Sequence, residues 1–407
     1  MVTFSIVDSE NQAKMRVVGV GGAGGNALNR MIGSGLQGVE FVAINTDAQV
    51  LELSQASKRI QIGQNVTKGL GAGANPEVGR RSIEEDRDRV AELLSNSDMV
   101  FVTAGMGGGT GTGAAPVVAE IARETGALTV GIVTTPFEME GTPRMRNALA
   151  GIEELKERVD TLIIIPNERL LAVSTRETTL RDAFRMADEV LLQATRGISD
   201  LITVPGEVNL DFNDVRTVML EGGDALMGTG VAVGENRAKE AAEKAIQSPL
   251  LDDLSIEGAK GVLVNISAGS DLRLFEVNEA VSVITAASGA EANVIWGTVL
   301  DDTVGDEFSV TVIATGFLQG DQRHRAPLAP GVPSVNGRLG RDIPAFLRKR
   351  AEEHVEATNG SSGTNGTNGT NGNRHPELAP DSDRIASDVS LDELETPTFL
   401  RRRLSRK

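Results

Sequence analysis

The chain has 407 residues, a net charge of −17, 40% hydrophobic residues and 3% aromatic ones, which fits two domains with tails around an aliphatic core. There is no cysteine, and the three histidines (His324, His354, His375) all lie beyond residue 320. Disulfide scaffolds, Cys- or His-ligated metals and Ser-His-Asp chemistry in the compact part are therefore excluded, and the acidic balance argues against nucleic acid as a partner.

Residues 1–14 read as a flexible N-terminus with no apolar leader, and no run has the length of a membrane span, so a soluble cytoplasmic protein is expected. Met15–Val20 is an apolar strand running into Gly19-Val-Gly21-Gly22-Ala-Gly24, and Asn26–Ile32 has the spacing of a helix. A second strand, Glu40–Asn45, ends in Thr46-Asp47. A G-x-G-x-x-G turn with an acidic residue at this distance is how a dinucleotide's pyrophosphate and ribose are held. On that motif alone, an NAD-dependent oxidoreductase, another nucleotide binder and plain helix–strand packing all compete. Gly63–Gly79 is a Gly-rich connection, either a third loop at the same pocket or a surface turn. Ser82–Ser95 is expected to be one amphipathic helix.

Met99–Ala104 reads as a buried strand, Ala114–Glu124 as a helix, and between them stands Gly105-Met-Gly107-Gly108-Gly109-Thr110-Gly111-Thr112-Gly113. Glycine lets backbone amides close on a ligand, and a helix start presents them to an anion. This composition suits a polyphosphate, although the lysine of a P-loop is missing. Ala127–Thr134 is the next strand, with Pro136–Arg144 as its exit loop and Arg144–Val159 as a helix. Thr161–Ile165 leads to Pro166-Asn167, and Thr178–Leu201 is a long helix. Alternating strands and helices argue a parallel, doubly wound sheet with ligands at the carboxyl ends of its strands.

A nucleoside triphosphate across Gly21, Gly22 and Gly107–Thr110 needs polar partners. Glu140, Arg144 and Asn167 lie in the following exit loops, and Asp188 lies one turn beyond Phe184 on the long helix. A carboxylate accepts both N1–H and the exocyclic amine of guanine, which makes Asp188 a guanine reader with Phe184 packing on the base. Asp211 and Asp214, spaced i, i+3 at a helix start, either cap that helix or act on water in line with a γ-phosphate. A helix as long as 178–201 spans roughly 35 Å at 1.5 Å per residue. The two aspartates therefore reach the phosphates of a neighbour stacked head to tail more readily than their own, a contact that generates filaments. From Gly230 onward, strands and helices form a second, α+β unit.

These strings together resemble the FtsZ family, the bacterial tubulin homologues of cell division. They are Gly19–Asn26, Asn45-Thr46-Asp47, Gly107–Gly113, Glu140-Gly141 with Arg144, Ile165-Pro166-Asn167, Phe184 with Asp188, and Asn209–Met219. The resemblance implies a tubulin-like, Rossmann-type GTP-binding domain over 15–177, a connecting helix over 178–202 and an inter-subunit loop and helix over 203–223. An α+β domain then covers 224–318. It also implies GTP hydrolysis coupled to head-to-tail filaments of the division ring at midcell. Phosphates fall to Gly21, Gly22, Gly107, Gly108, Gly109, Thr110, Gly111, Thr112 and Gly113, ribose and phosphate to Glu140 and Arg144, and the base to Asn26, Asn167 and Asp188. Asn209, Asp211 and Asp214 complete the neighbour's site. Mg²⁺ is expected through the nucleotide's phosphates, without an evident protein ligand. An oxidoreductase leaves 107–113 unexplained and lacks a His or Tyr proton donor; a non-hydrolysing filament scaffold explains the tail without turnover.

Residues 319–387 read as a disordered linker with repeated Thr-Asn-Gly. The segment 388–407 contains Pro397-Thr-Phe399-Leu400-Arg401-Arg402-Arg403, and Pro344-Ala-Phe346-Leu347-Arg348-Lys349-Arg350 is an upstream copy. The family usually carries one such peptide, at its C-terminus, for division and membrane-tethering partners. Here both copies, around Phe399-Leu400 and around Phe346-Leu347, are expected to engage partners.

Overall fold

A computed structural model describes residues 13–317, apart from 205, 209, 221, 252–254, 302 and 303. Strands β1 (Met15–Val20), β2 (Val39–Asn45), β3 (Lys58–Gln61), β4 (Met99–Gly105), β5 (Leu128–Thr135) and β6 (Thr161–Pro166) run parallel in the order β3-β2-β1-β4-β5-β6. Every residue of β5, and all of β4 but Gly105, is buried, as expected of strands covered on both faces. The short edge strand β3 has no counterpart in the sequence reading. Only Ile60 of Lys58-Arg-Ile-Gln61 is apolar, and Lys58 is held by Glu40 of β2 at 2.8 Å.

The intervening helices are α1 (Gly21–Gly33), α2 (Ala48–Glu52), α3 (Gln64–Thr67), α4 (Pro76–Glu85), α5 (Arg87–Leu94), α6 (Thr110–Glu124), α7 (Thr142–Lys156) and α8 (Asn167–Leu170). Two of them start earlier than their apolar spacing suggests. α1 begins directly at Gly21 and α6 at Thr110, so the last four residues of each Gly-rich string, 21–24 and 110–113, are wound into helix. The reason is steric. A Cβ on Gly111 would lie 2.7 Å from the carbonyl of Gly105, and one on Gly113 would lie 1.9 Å from that of Pro76. The single helix expected over 82–95 is two helices, broken at Asp86, whose carboxylate accepts the Gly63 N–H at 2.8 Å.

Helix α9 (Leu180–Thr203) is 24 residues long and spans about 36 Å at 1.5 Å per residue. It runs antiparallel to the strands. Asn167 follows the carboxyl end of β6 and precedes it, while a Cβ on Gly38, just before β2, would meet Thr203 at 2.5 Å. Beyond it come α10 (Phe212–Met219), β7 (Gly223–Ala232), α11 (Arg237–Ile246), β8 (Gly261–Ala268), α12 (Leu274–Ser288), β9 (Asn293–Leu300) and β10 (Phe308–Thr315). β7 pairs parallel with β6 over Gly223–Ala225 and antiparallel with β10, which continues through β8 to β9 and closes a ten-stranded sheet. The outer edge of β9 is partly covered: the Thr298 N–H donates to the Val208 carbonyl at 3.1 Å, and the Val208 N–H donates to Thr298 Oγ1 at 3.0 Å.

One core, containing Leu28, Met31, Phe101, Leu191 and Met219, lies on the α1/α9/α10 face of the first sheet. A second, containing Ile83, Val118, Ile121 and Leu155, lies on the α4–α7 face. A third fills the C-terminal half around Ala241, Val264, Ile284 and Phe308. The close crossing of α4 on α6 predicts that Gly113→Ala destabilises the protein by about 1–3 kcal/mol through overpacking, read from the urea midpoint at unchanged slope.

Candidate nucleotide site

The carboxyl ends of β1, β4, β5 and β6 lead into the starts of α1, α6, α7 and α8. The first two of these starts meet. A Cβ on Gly21, which holds φ +76°, would stand 2.9 Å from the amide nitrogen of Gly111. First-turn amides have no acceptor inside their own helix, and two helix dipoles here bring their positive ends together. The Gly107 N–H donates to Thr112 Oγ1 at 2.7 Å and the Gly109 N–H donates to the Gly73 carbonyl at 3.1 Å, which fixes the shape of the turn. Among the described residues, the amides of Gly108, Thr110 and Gly111 have no protein acceptor. Around Gly22 and Gly108 a Cβ would meet nothing within 4 Å, so both border open space. This geometry fits an anion with several acceptor oxygens.

The Gly63–Gly79 connection belongs to this region and is not a detached surface turn. Besides the Gly73 contact, a Cβ on Gly79 would lie 2.3 Å from the carbonyl of Gly109. Thr46, at the end of β2, is fully buried with its Oγ1 2.7 Å from Thr110 Oγ1.

Glu140 and Arg144 form an ion pair at 3.0 Å, with the Glu140 side chain only 4% exposed. The second carboxylate oxygen of Glu140 accepts the Phe137 N–H at 2.9 Å, so Glu140 is locked and orients Arg144. Arg144 flanks the signature turn: a Cβ on Gly107 would come within 2.8 Å of its carbonyl. Phe184 is half-buried and meets the edge of buried Phe137, ring centroids 5.6 Å apart at 83°. Asn167 is buried, and its side-chain oxygen has no partner, an orphaned acceptor of the kind a ligand satisfies. Asp188 makes no hydrogen bond within the described protein, and burial pushes its carboxyl up to about 7, opposed by the charge of Arg30 and reinforced by that of Glu189. Asn26 is exposed one turn before Arg30, whose guanidinium binds Glu189 at 2.9 Å and ties α1 to α9 beside Asp188.

Asp211 and Asp214 lie elsewhere. Asp211 caps α10, its Oδ1 accepting the Asn213 N–H at 3.1 Å, and both carboxylates are exposed. The other end of α10 is bound at the amino end of β6, where Thr161 Oγ1 donates to the Met219 carbonyl. With the end of α9 against Gly38, this places the loop and helix at the edge of the sheet opposite the Gly-rich turns. Asn209 lies outside the described residues, as do both tail peptides.

Residues 14–175 match the tubulin/FtsZ family GTPase domain, and residues 223–318 match the FtsZ family C-terminal domain. The chain belongs to the tubulin/FtsZ family. Among solved structures, an empty FtsZ dimer from M. jannaschii is 46% identical with a TM-score of 0.73, over 76% of this chain and 89% of that one. Two proteins from Haloferax volcanii share the fold at lower identity. CetZ1, a GDP-bound monomer, is 23% identical with a TM-score of 0.65 over 76% of this chain and 96% of that one. CetZ2, a GTPγS-bound protofilament, is 21% identical with a TM-score of 0.64 over 84% and 99%.

Membership makes the first half of the chain an FtsZ-type GTPase domain, and the nicotinamide-oxidoreductase reading finds no support. Phe184, Asp188, Asp211 and Asp214 fall between the two matched segments. Among the described residues no helix is long and apolar enough to cross a membrane, and no group of acidic or histidine side chains could hold a metal ion. Sequence reasoning missed Phe137, the ring behind Phe184, because no local pattern marks it. It also missed the Arg30–Glu189 tie between α1 and α9, which joins residues far apart in the chain.

The Asp188 carboxyl titrates near 7 when folded, against 3.8 unfolded. The folded state therefore holds more protons between these values, and the corresponding stability is full below the lower one and lost as pH rises through about 7. Thermal unfolding of nucleotide-free protein should show a larger loss from pH 5 to pH 8 in the wild type than in Asp188→Asn, with the variant the more stable at pH 8.

Proposed function

We propose that the chain binds GTP across the starts of α1 and α6 and hydrolyses it at a head-to-tail contact between subunits, forming the filaments of the bacterial division ring at midcell. The observation that carries this reading is the separation of the two halves of the site. The phosphate cradle stands at the carboxyl edge of the sheet, and the exposed Asp211 and Asp214 stand at its amino edge. In one chain they are a sheet's length apart; in a stack, one subunit's lower edge meets the next subunit's upper edge.

The cradle orients the triphosphate through the amides of Gly108, Thr110 and Gly111, with Gly21, Gly22, Gly107, Gly109, Thr112 and Gly113 shaping it. Glu140 holds Arg144 toward ribose and phosphate. Ionised Asp188 accepts the guanine N1–H and amine, Asn167 and Asn26 add polar contacts, and Phe184, backed by Phe137, packs on the base. Adenine presents no matching donor pair, so ATP is rejected. From the neighbour, Asp211, Asp214 and Asn209 orient water in line with the γ-phosphate. Mg²⁺ bound with the nucleotide would neutralise charge on its phosphates. The peptides at Phe346-Leu347 and Phe399-Leu400 recruit division and membrane-tethering proteins.

Phosphate release measured across a protein concentration series tests this. The GTP rate per subunit should be near zero when dilute and rise above a threshold, with ATP inert. Asp211→Ala and Asp214→Ala should each keep GTP affinity and lose about 100-fold or more of turnover. A rate per subunit independent of dilution rejects the shared site, and filaments without phosphate release make the chain a scaffold.

A further inference from the structure

Arg30 is the only charged residue of α1. Its Nε and Nη2 donate to one oxygen of Glu189 on α9, at 3.1 and 2.9 Å, and its Nη1 donates to nothing among the described residues. Glu189 directly follows Asp188 in the chain. The two adjacent carboxylates stand in opposite states. Glu189 keeps 37% of its side chain in water, whereas Asp188 has lost most of its solvation and accepts no hydrogen bond among the described residues. The Arg30–Glu189 pair is not what holds the two helices together. Leu28 and Met31 of α1 pack with Leu191 and Ala194 of α9 in one core, and Arg196 Nη2 donates to the Ser34 carbonyl at 3.0 Å, just beyond α1. A pair this exposed adds little stability. Other charges near Asp188 are few. Of the first-half elements that pack on α9, β5 and β6 carry none, and α8 carries Glu168 and Arg169. Within one turn on α9 itself stand Arg185 and Glu189. The charges that act on the Asp188 carboxyl are those of Arg30 and Glu189.

We propose that Glu189 is a positioning residue: it draws the Arg30 guanidinium onto itself and leaves the Asp188 carboxylate open to the paired donors of a guanine base. This inference rests on Asp188 facing the base of a bound guanine nucleotide, as in the reading above. A guanidinium fork offers a carboxylate two parallel N–H donors, the same pattern that guanine offers through N1–H and its amine. Arg30 and the base are therefore rivals for one acceptor. Glu189 settles the rivalry because it is the wetter carboxylate. Pairing there leaves both ions partly hydrated, whereas pairing with Asp188 would draw the guanidinium out of water. Held one residue away, the guanidinium still attracts negative charge at Asp188 and offsets part of the burial that favours the proton there. Asp188 is thereby kept ionisable and unoccupied, the two properties that an acceptor for guanine needs.

Equilibrium binding of GDP to dilute, unassembled full-length protein at pH 6 and pH 8 tests this. At pH 8, Glu189→Gln should bind GDP about fivefold or more weakly than wild type, because the released Arg30 turns to Asp188. Glu189→Ala carries the same expectation should the glutamine amide still hold Arg30. Arg30→Gln breaks the same tie but also removes the rival, so it should stay within about threefold of wild type, as should Arg30→Gln combined with Glu189→Gln. The pH dependence, compared between variants so that titration of the phosphates cancels, gives a second reading. Wild-type affinity should rise from pH 6 to pH 8 as Asp188 ionises through about 7. In Glu189→Gln the Arg30 partner keeps Asp188 ionised throughout, and that rise should flatten. Arg30→Gln as weak as Glu189→Gln, or a double variant without recovery, overturns the proposal, because the pair would then act only as a tie between helices. Wild-type protein that binds GDP, with both Glu189 variants unchanged, overturns the positioning role alone; wild-type protein that does not bind GDP overturns the nucleotide reading as well.

Discussion

Backbone meets backbone at three places around the start of α6, and the site depends on those contacts. Gly21 lies against Gly111, Gly79 against Gly109, and Gly113 against Pro76, each at a separation that would put a Cβ within 3 Å of main-chain atoms. Side chains at these positions would push α1, α4 and α6 apart. Without them, three segments distant in sequence converge, and the amides of two helix starts face one volume. An anion receives there a concentration of donors that no single loop supplies.

The rest of the molecule maintains distance. α9 buries Ala187, Leu191, Ala194 and Ile198 against the first sheet, and its Gly197 carbonyl accepts from Asn265 of β8 at 3.2 Å. It carries Asp188 and Phe184 in its upper half and delivers the chain to the lower edge, where α10 is fastened through Met219. The helix thus spans the distance between the Gly-rich turns at one edge of the sheet and α10 at the other. Glu140 and Asp188 show two uses of a carboxylate. One is immobilised by Phe137 and Arg144; the other is left without partners, and its preference for the proton reflects the solvation it has lost.

Much of this was legible in the sequence because it is local. Apolar runs bounded by glycine gave β1, β4 and β5, a run ending at Pro166 gave β6, and the 3.6-residue spacing of Leu180–Ile198 gave α9. What failed was mostly decided by contacts distant in the chain. Gly-Thr-Gly-Thr-Gly reads as loop because glycine and threonine are poor helix formers, yet tertiary packing winds it into α6. Ser82–Ser95 has one continuous amphipathic spacing, and only the long-range bond from Gly63 to Asp86 shows why it breaks. Lys58–Gln61 lacks an apolar pattern because a short edge strand need not have one. Phe137 behind Phe184 and the orphaned oxygen of Asn167 are properties of three-dimensional proximity, which spacing along the chain does not encode.

The two rims of the ten-stranded sheet are treated differently from its ends. On one rim stands a four-residue strand carrying Lys58 and Arg59; on the other, β9 has part of its hydrogen-bonding edge occupied by Val208. A long bare rim would invite strands from other copies to add sideways, a growth mode that is indefinite and hard to reverse. A subunit that assembles end to end must keep that competing route closed. One short strand carrying Lys58 and Arg59, and a main-chain partner borrowed at Val208, narrow it from the two sides.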